Sequence, residues 1–259
     1  VFYTLDKDGN QVLRNLKKEN QGFTHERFYD GEFDSYNYLY YENFECFHNE
    51  AQGSDYFRYG CKITEGMKVL DLGANIGAFA RCAIERGASK VYCFEPDPRC
   101  IAFLNSNYYN KSNVVVVDKA VYFENANGLD FFCSQEASTT SSLTDKTGSQ
   151  HYGRLSDRTL VDGITLNTFR QKYNCMPDFI KMDIEGAEYG VLTSLEDYEI
   201  QDVDRWLIEF HENTNGEFIK IAERFQSLGF EVKLHNHTDQ NKLVSPEDWN
   251  TTLTGTMFA

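Results

Sequence analysis

Residues 68–77 read Lys-Val-Leu-Asp-Leu-Gly-Ala-Asn-Ile-Gly. The first five residues form a short and mostly apolar run, which predicts a buried parallel strand with an acid, Asp71, near its end. Gly73 and Gly77 permit a tight turn and a close approach of the backbone, and residues 78–86 continue with helical spacing. A strand that passes through a glycine turn into a helix is typical of a site that binds a nucleotide cofactor.

A second predicted strand, residues 90–94, ends at Glu95. We expect its carboxylate to accept hydrogen bonds from ribose hydroxyls, as does the acid about 20 residues past a dinucleotide turn. Asn75 stands where a dinucleotide turn has its middle glycine, and the Asp71 carboxylate would repel a pyrophosphate. A carboxylate can instead accept from the ammonium of an amino acid, directly or through water. These features favour S-adenosylmethionine over a dinucleotide.

A third stretch, residues 178–189, reads Asp-Phe-Ile-Lys-Met-Asp-Ile-Glu-Gly-Ala-Glu-Tyr. Together with the Asp-Leu-Gly-Ala-Asn-Ile-Gly and Phe-Glu-Pro strings, it resembles the FkbM family of S-adenosylmethionine-dependent methyltransferases. The resemblance covers residues 66–212, and its most distinctive part is Lys-x-Asp-x-Glu-Gly-x-Glu. It implies an α/β class I methyltransferase fold, Rossmann-like, with a doubly wound and mostly parallel sheet. It also implies methyl transfer to a hydroxyl of a carbohydrate or a natural product.

The chain's own pattern supports an alternating arrangement of strands and helices. Strands are predicted at residues 68–72, 90–94, 114–117, 179–183, 204–210 and 230–234. A chain of 259 residues with 41% hydrophobic residues can bury one large core. We therefore expect one methyltransferase domain, residues 66–259, preceded by an N-terminal extension, residues 1–65, that packs on it.

The carboxyl ends of parallel strands meet at one edge of a sheet, so the acids that follow the strands should converge there. We expect Glu95 to bind the ribose and Asp118 to accept from the adenine amino group, while Pro96 fixes the turn after Glu95. Asp183 should reach the same edge. The residues expected around the methionine part are Asp71, Gly73, Asn75 and Gly77.

Methyl transfer from a sulfonium requires an acceptor held in place and deprotonated. His211 follows an apolar strand and is our first choice of base, because an imidazole accepts a proton near neutral pH. Asp183 and Glu185 are further catalytic candidates. Asp183, Glu209 and His211 also form a candidate site for a divalent cation such as magnesium. Glu188 is expected to have a structural role, since an acid near a helix start offsets the helix dipole.

The formal net charge of −15 disfavours nucleic acid as a partner, because a phosphate backbone would be repelled. There is no run of about 18 apolar residues and no signal-peptide pattern, which predicts no membrane association. The seven cysteines include no Cys-x-x-Cys pair and read as reduced core thiols. We expect a cytoplasmic protein whose partner is a small-molecule or glycan hydroxyl acceptor.

Two segments outside these motifs carry their own predictions. Residues 23–59 contain thirteen Phe or Tyr, which either seal the edge of the sheet or line an acceptor pocket, and we expect a few of these rings to face the site. A homodimer formed through this aromatic segment is a separate hypothesis. About 60 residues separate the third strand from Asp183, more than a simple crossover requires. This insertion should hold extra strands at residues 129–133 and 159–164, and residues 138–148 are either a lid or an ordinary loop.

Two other functions stay open from the sequence. A catalytically silent module with a cofactor fold would act by binding a partner, with the aromatic extension as its contact surface. A dinucleotide oxidoreductase would use the same glycine turn, but Asn75 and Asp71 argue against it.

Overall fold

The computed structural model of the chain describes residues 2–5, 11–14, 56–108, 110–134, 141–143, 155–211, 217–236, 242–245 and 255–259. The strands in these ranges are β1 (Phe2–Leu5), β2 (Gln11–Arg14), β3 (Lys68–Leu72), β4 (Lys90–Phe94), β5 (Val114–Val117), β6 (Ala120–Val121), β7 (Ala126–Ser134), β8 (Leu155–Ile164), β9 (Phe179–Met182), β10 (Arg205–Phe210), β11 (Lys233–Asn236), β12 (Lys242–Val244) and β13 (Gly255–Phe258). The helices are α1 (Ala78–Glu85), α2 (Pro98–Tyr108), α3 (Leu166–Tyr173), α4 (Glu188–Ser194), α5 (Asp197–Gln201) and α6 (Glu217–Ser227).

The central sheet has eight strands in the order β12-β11-β13-β10-β9-β3-β4-β5. The five strands from β10 to β5 are parallel, whereas β13 runs antiparallel between β10 and β11. The chain proceeds from β3 outward to β5 and later returns to β9 on the other side of β3. The strand order therefore reverses between β3 and β9, where ligands of such sheets bind. The doubly wound, mostly parallel sheet predicted from the sequence is confirmed.

Both faces of the central sheet are buried, which explains why its strands read as nearly continuous apolar runs. On one face, Leu70, Ile180 and Trp206 pack against helices α3 to α6. On the other face, Val69 and Phe179 pack against α1 and α2. The six cysteines among the described residues are buried, and Cys46 lies outside those residues. No helix in the described ranges is both long and apolar enough to cross a bilayer.

The insertion between β5 and β9 forms a second sheet of three strands in the order β6-β8-β7. Strands β7 and β8 pair antiparallel and contain the two extra strands predicted from the alternating pattern. Of the predicted lid segment, residues 138–148, the structure describes only residues 141–143. The structure therefore shows where three residues of that segment lie.

The last predicted strand, residues 230–234, was placed too early, because β11 spans Lys233–Asn236. Helix α6 ends in a turn in which Gly229 has a φ of +99° and the Phe230 N–H donates to the Phe225 carbonyl. The start of the apolar run thus packs on the helix end. The strand begins only where pairing with β13 becomes available.

Residues 56–65 of the predicted extension pack on the core, and the other aromatic residues of that segment, from Phe23 to Phe47, lie outside the described residues. Phe57 stacks on Phe79 with ring centroids 5.8 Å apart, and the Arg86 guanidinium lies 3.8 Å from the centre of the Phe57 ring. Tyr59 contacts Phe258 edge-on. Phe57 thus packs on helix α1, and Tyr59 packs on β13, an inner strand of the sheet. The edge-sealing interpretation and the boundary at residue 65 stay predictions.

The contact between β3 and β9 gives the first testable prediction. A Cβ added to Gly73, where φ is +77°, would lie 1.8 Å from the Asp183 carbonyl oxygen. Gly60 has a similar φ of +87° with nothing within 4 Å of an added Cβ. Gly60→Ala should therefore cost only the left-handed backbone penalty of about 1 kcal/mol. Gly73→Ala should cost about 2 to 4 kcal/mol, since it adds a steric clash.

Urea unfolding of both variants measures this difference directly. Equal losses of unfolding free energy would show that the space around Gly73 is not limiting.

Candidate active site

A cleft with about 1000 Å³ of open space lies at the carboxyl ends of β3, β4 and β9. It sits at the reversal of strand order, as the fold requires for a ligand site. The lining residues come from the glycine turn, the β4 end, the β9 end, the insertion and residue 56. They are Tyr56, Gly73, Ala74, Asn75, Ile76, Ala78, Phe79, Phe94, Glu95, Pro96, Lys119, Ala120, Val121, Phe131, Ser141, Leu143, Lys181, Asp183, Ile184, Glu185 and Ala187.

Glu95 joins the two turns that form one wall of the cleft. Its carboxylate accepts from the backbone N–H of Asn75 at 2.7 Å and from that of Asp97 at 2.8 Å. Asn75 has a φ of +48°, and this left-handed conformation aims its N–H at the carboxylate. Burial, together with the charge of Asp97, raises the pKa of Glu95 to about 8. A buried carboxyl group is thus held at the cavity surface by two backbone donors.

Lys181 lies beneath the glycine turn and is almost fully buried. Its ammonium donates to the Gly73 carbonyl at 2.8 Å and lies 3.4 Å from carboxylate oxygens of both Asp71 and Asp183. Burial alone would lower the pKa of Lys181, but the charges of Asp183, Asp71 and Glu209 outweigh it and raise the pKa. Lys181 therefore stays charged and neutralises two acids at neighbouring strand ends.

His211 follows β10 and lies among three glutamates. Its Nδ1 is 3.2 Å from Glu188 Oε1, and its Nε2 is 3.7 Å from Glu185 Oε2 and 3.8 Å from Glu209 Oε1. Burial by itself would lower the pKa of the imidazole, but the hydrogen bond and charge of Glu188, with the charges of Glu185 and Asp183, raise it to about 10. The ring therefore carries its proton at neutral pH.

Glu188 holds the loop that follows β9. Its buried carboxylate accepts from the N–H of Ile184 at 3.0 Å and from the N–H of Gly186 at 2.9 Å, besides its contact with His211. Residues 183–188 thus fold around one side chain, and Glu185, inside that loop, has a φ of +56°. The structural role expected for Glu188 agrees with these contacts.

The chain matches a known protein family. The family model described as "Methyltransferase FkbM domain" matches residues 71–232, more than half of the chain. The chain belongs to the FkbM family. The resemblance noted in the sequence is confirmed, and the protein is an S-adenosylmethionine-dependent methyltransferase with the class I fold. No curated protein sequence matches the chain significantly.

Several solved methyltransferase structures resemble this FkbM protein distantly. A putative RNA methyltransferase from Pyrococcus horikoshii is 16% identical, covering 82% of this chain and 81% of its own, with a TM-score of 0.39. Aeropyrum pernix fibrillarin, solved with bound S-adenosyl-L-methionine, is 11% identical with 79% and 70% covered and a TM-score of 0.43. Precorrin-6y C5,15-methyltransferase from Geobacter metallireducens is 11% identical with 84% and 86% covered and a TM-score of 0.40.

The lining of the cleft fits S-adenosylmethionine in its chemistry. Glu95 presents oxygens suited to hydrogen bonds with ribose hydroxyls, and Val121, Phe131 and Leu143 offer apolar surface suited to an adenine ring. Asp183 and Glu185 add carboxyl groups, which attract cationic groups such as a sulfonium and an ammonium.

Of the predicted cofactor residues, Gly73, Asn75, Glu95, Pro96 and Asp183 line this cleft. The other three do not line it, for separate physical reasons that follow.

Asp71 is fully buried below the turn beside Lys181, so a direct contact with a ligand's ammonium is wrong for this residue. Gly77 serves packing instead, because a Cβ there would lie 2.6 Å from the Tyr108 ring. Asp118 is exposed and outside the lining, whereas the next residue, Lys119, lines the cleft and pairs with Asp162 at 2.9 Å. The end of β5 was predicted correctly, but not which of two successive side chains faces the cleft.

Sequence reasoning missed the lining residues Tyr56, Lys119, Phe131, Ser141 and Leu143. Tyr56 belongs to the aromatic segment that was predicted to contribute a few rings to the site. Phe131 lies on a predicted extra strand, and Ser141 and Leu143 lie in the predicted lid segment. The alternation of β7 carried a signal for Phe131, whereas the lid prediction marked the segment that contains Ser141 and Leu143 without assigning either residue to the cleft.

The lining of the cleft predicts a difference between two acids. Glu95→Ala should weaken binding of S-adenosylhomocysteine by about tenfold or more, because the hydrogen bonds between the ribose hydroxyls and the Glu95 carboxyl group are lost. Asp118→Ala should change the Kd by no more than about twofold, since that side chain is exposed. Isothermal calorimetry measures both. Equal weakening in the two variants would contradict the assigned ribose wall.

The environment of His211 predicts how stability depends on pH. The folded pKa of about 10 lies above the unfolded value of 6.5, so its contribution is complete below pH 6.5 and is lost as the pH rises towards 10. His211→Asn keeps a donor for Glu188 but carries no charge. The excess unfolding free energy of the wild type over this variant should therefore shrink between pH 6 and 10. A difference that grows over this range would show that the imidazole is neutral.

Proposed function

We propose that this FkbM protein transfers a methyl group from S-adenosylmethionine to a hydroxyl of a carbohydrate or natural product. The observation that carries the proposal is the pair of carboxylates, Asp183 and Glu185, that line the cleft beside the glycine turn. Carboxylates accept hydrogen bonds from hydroxyl groups and can take their protons. The FkbM resemblance supports the same class of acceptor.

Two carboxylates serve the proton transfer better than the histidine. Asp183 and Glu185 line the cleft, while His211 and Glu209 lie behind them. His211 was the first choice of base in the sequence, but an imidazole that already holds its proton accepts none. His211 instead places a positive charge 3.7 Å from Glu185.

Methyl transfer to a hydroxyl requires a methyl donor and a group that accepts the hydroxyl proton. S-adenosylmethionine, when bound, supplies a methyl group already activated by its sulfonium. Glu185 would accept the proton of the acceptor hydroxyl as the hydroxyl oxygen takes the methyl group, and the sulfur would keep the electron pair of its former bond to that group. Asp183, paired with Lys181, holds a carboxylate in the cleft lining that would attract a cationic ligand group. The products are a methyl ether and S-adenosylhomocysteine.

The divalent cation predicted at Asp183, Glu209 and His211 remains only a prediction. Ligand atoms of Asp183, Glu188 and His211 lie within 4.8 Å of one another, a set that has Glu188 in place of Glu209. Two features disfavour a metal there. Glu188 already accepts two backbone hydrogen bonds, and two protein cations, Lys181 and His211, already face these acids.

The net charge of −15 supports a small or glycan acceptor over nucleic acid. The absence of a nucleic-acid partner, the homodimer and the cytoplasmic location stay predictions. A silent binding module would keep cofactor binding without turnover, so the activity assay below also distinguishes that alternative.

The test is release of S-adenosylhomocysteine with a panel of methyl glycosides and phenols, in buffer with and without EDTA. Glu185→Gln and Asp183→Asn should each lower kcat by about 10²-fold or more, the usual contribution of a positioned base. Glu223→Gln, the same change on the exposed side of α6, should leave kcat unchanged.

Three different outcomes would each contradict a different part of the proposal. Full turnover in both site variants would make the base assignment wrong even if methylation is real. Cofactor binding by the wild type without turnover of any hydroxyl would overturn the acceptor class. Loss of turnover with EDTA, restored by magnesium, would establish a metal requirement. It would contradict the inference that Lys181 and His211 disfavour a metal at these acids.

A further inference from the structure

A short piece of the insertion, residues 141–143, docks against the β7 strand at the mouth of the cleft. Ser142 and Phe132 exchange two backbone hydrogen bonds, of 2.8 and 3.0 Å, which fix the segment as an antiparallel bridge. Ser142 is almost completely buried. Its neighbours on both sides, Ser141 and Leu143, line the cleft. The position of the segment is therefore specified by the backbone as well as by side chains.

The Ser142 hydroxyl reaches across to the loop that follows β9. It donates to the backbone carbonyl of Glu185 at 2.9 Å. The two residues are far apart in sequence, so this contact exists only in the folded protein. It joins the insertion directly to the residue that we assign as the base.

Glu185 has a backbone that needs such support. Its φ of +56° lies in the left-handed region, which costs a residue with a Cβ roughly 1 kcal/mol or more. Glu188 holds the N–H groups of Ile184 and Gly186, one on each side of Glu185. Ser142 holds the carbonyl between them. The strained residue is thus held at the two peptide groups 183–184 and 185–186, the second of them at both its carbonyl and its N–H.

We propose that Ser142 is a positioning residue for methyl transfer, which holds Glu185 in the left-handed conformation that places this residue in the lining of the cleft. This inference rests on the proposed role of Glu185 as base. The same docked segment supplies Ser141 and Leu143 to the wall of the cofactor cleft. One bridge between β7 and residue 142 therefore builds part of the cofactor wall and fixes the catalytic loop.

The first experiment needs no acceptor. Ser142→Ala should speed amide hydrogen exchange at Ile184 and Gly186 at least roughly fivefold with S-adenosylhomocysteine bound, the effect of losing one hydrogen bond. Ser142→Thr, which keeps the hydroxyl, should restore most of the protection. Ser227→Ala is a matched control, because it removes a serine hydroxyl that donates to a carbonyl, that of Arg224, outside the site. Unchanged exchange in Ser142→Ala would overturn the inference.

The second experiment uses any glycoside or phenol that the wild type methylates. Ser142→Ala should lower kcat by roughly tenfold, as expected for a misplaced catalytic group, with the Kd for S-adenosylhomocysteine changed less than about twofold. In the Glu185→Gln background the same substitution should have no further effect, because its action passes through the Glu185 carboxylate.

The two proposals fail in different ways. An equal loss of kcat in both backgrounds would show that Ser142 does not act through Glu185, and would overturn the inference while leaving the proposed function intact. Full turnover in Glu185→Gln would overturn the base assignment and this inference with it. If no hydroxyl compound is methylated, the proposed class of acceptor is wrong. The hydrogen-exchange experiment alone then decides whether Ser142 holds the loop that follows β9.

Discussion

The active site depends on one buried ammonium, that of Lys181. Asp71 and Asp183 lie at the ends of neighbouring strands at the reversal of strand order, Asp71 fully buried and Asp183 in the cleft lining, and holding both carboxylates there without a cation would be unfavourable. The same ammonium donates to the Gly73 carbonyl, so charge balance and the shape of the glycine turn have one origin. Because Gly73 also packs directly on the Asp183 carbonyl, neither the turn nor the β9 end can move alone.

A second cation, the His211 imidazolium, neutralises acids on another side of the site. Its imidazolium lies among Glu185, Glu188 and Glu209, which would otherwise repel one another at distances too short for screening by water. Burial and the charge of Asp183 raise the pKa of Glu209 to about 8, so this acid also sheds part of its charge. Two cations of the chain thus permit an acid-rich rim without a bound ion.

The sequence predicted those parts of the site that depend on local pattern. The β3 strand, the glycine turn and Glu95 follow one another in the chain, and their apolar runs and turn residues determine their geometry locally. It could not predict that Asp118 faces solvent while Lys119 faces the cleft, since a single residue of register decides this. It also could not predict the protonation of His211, because three of its partners become neighbours only through tertiary packing.

The insertion supplies part of the wall of the cofactor cleft. The loops after β3, β4 and β9 contribute acids and backbone, and Val121, Phe131 and Leu143 add apolar surface. Val121 and Phe131 belong to the small three-stranded sheet, and Leu143 follows the residue that bridges to β7. Changes that repack this sheet should therefore alter the affinity for the cofactor, although the sheet lies outside the motifs that identify the family.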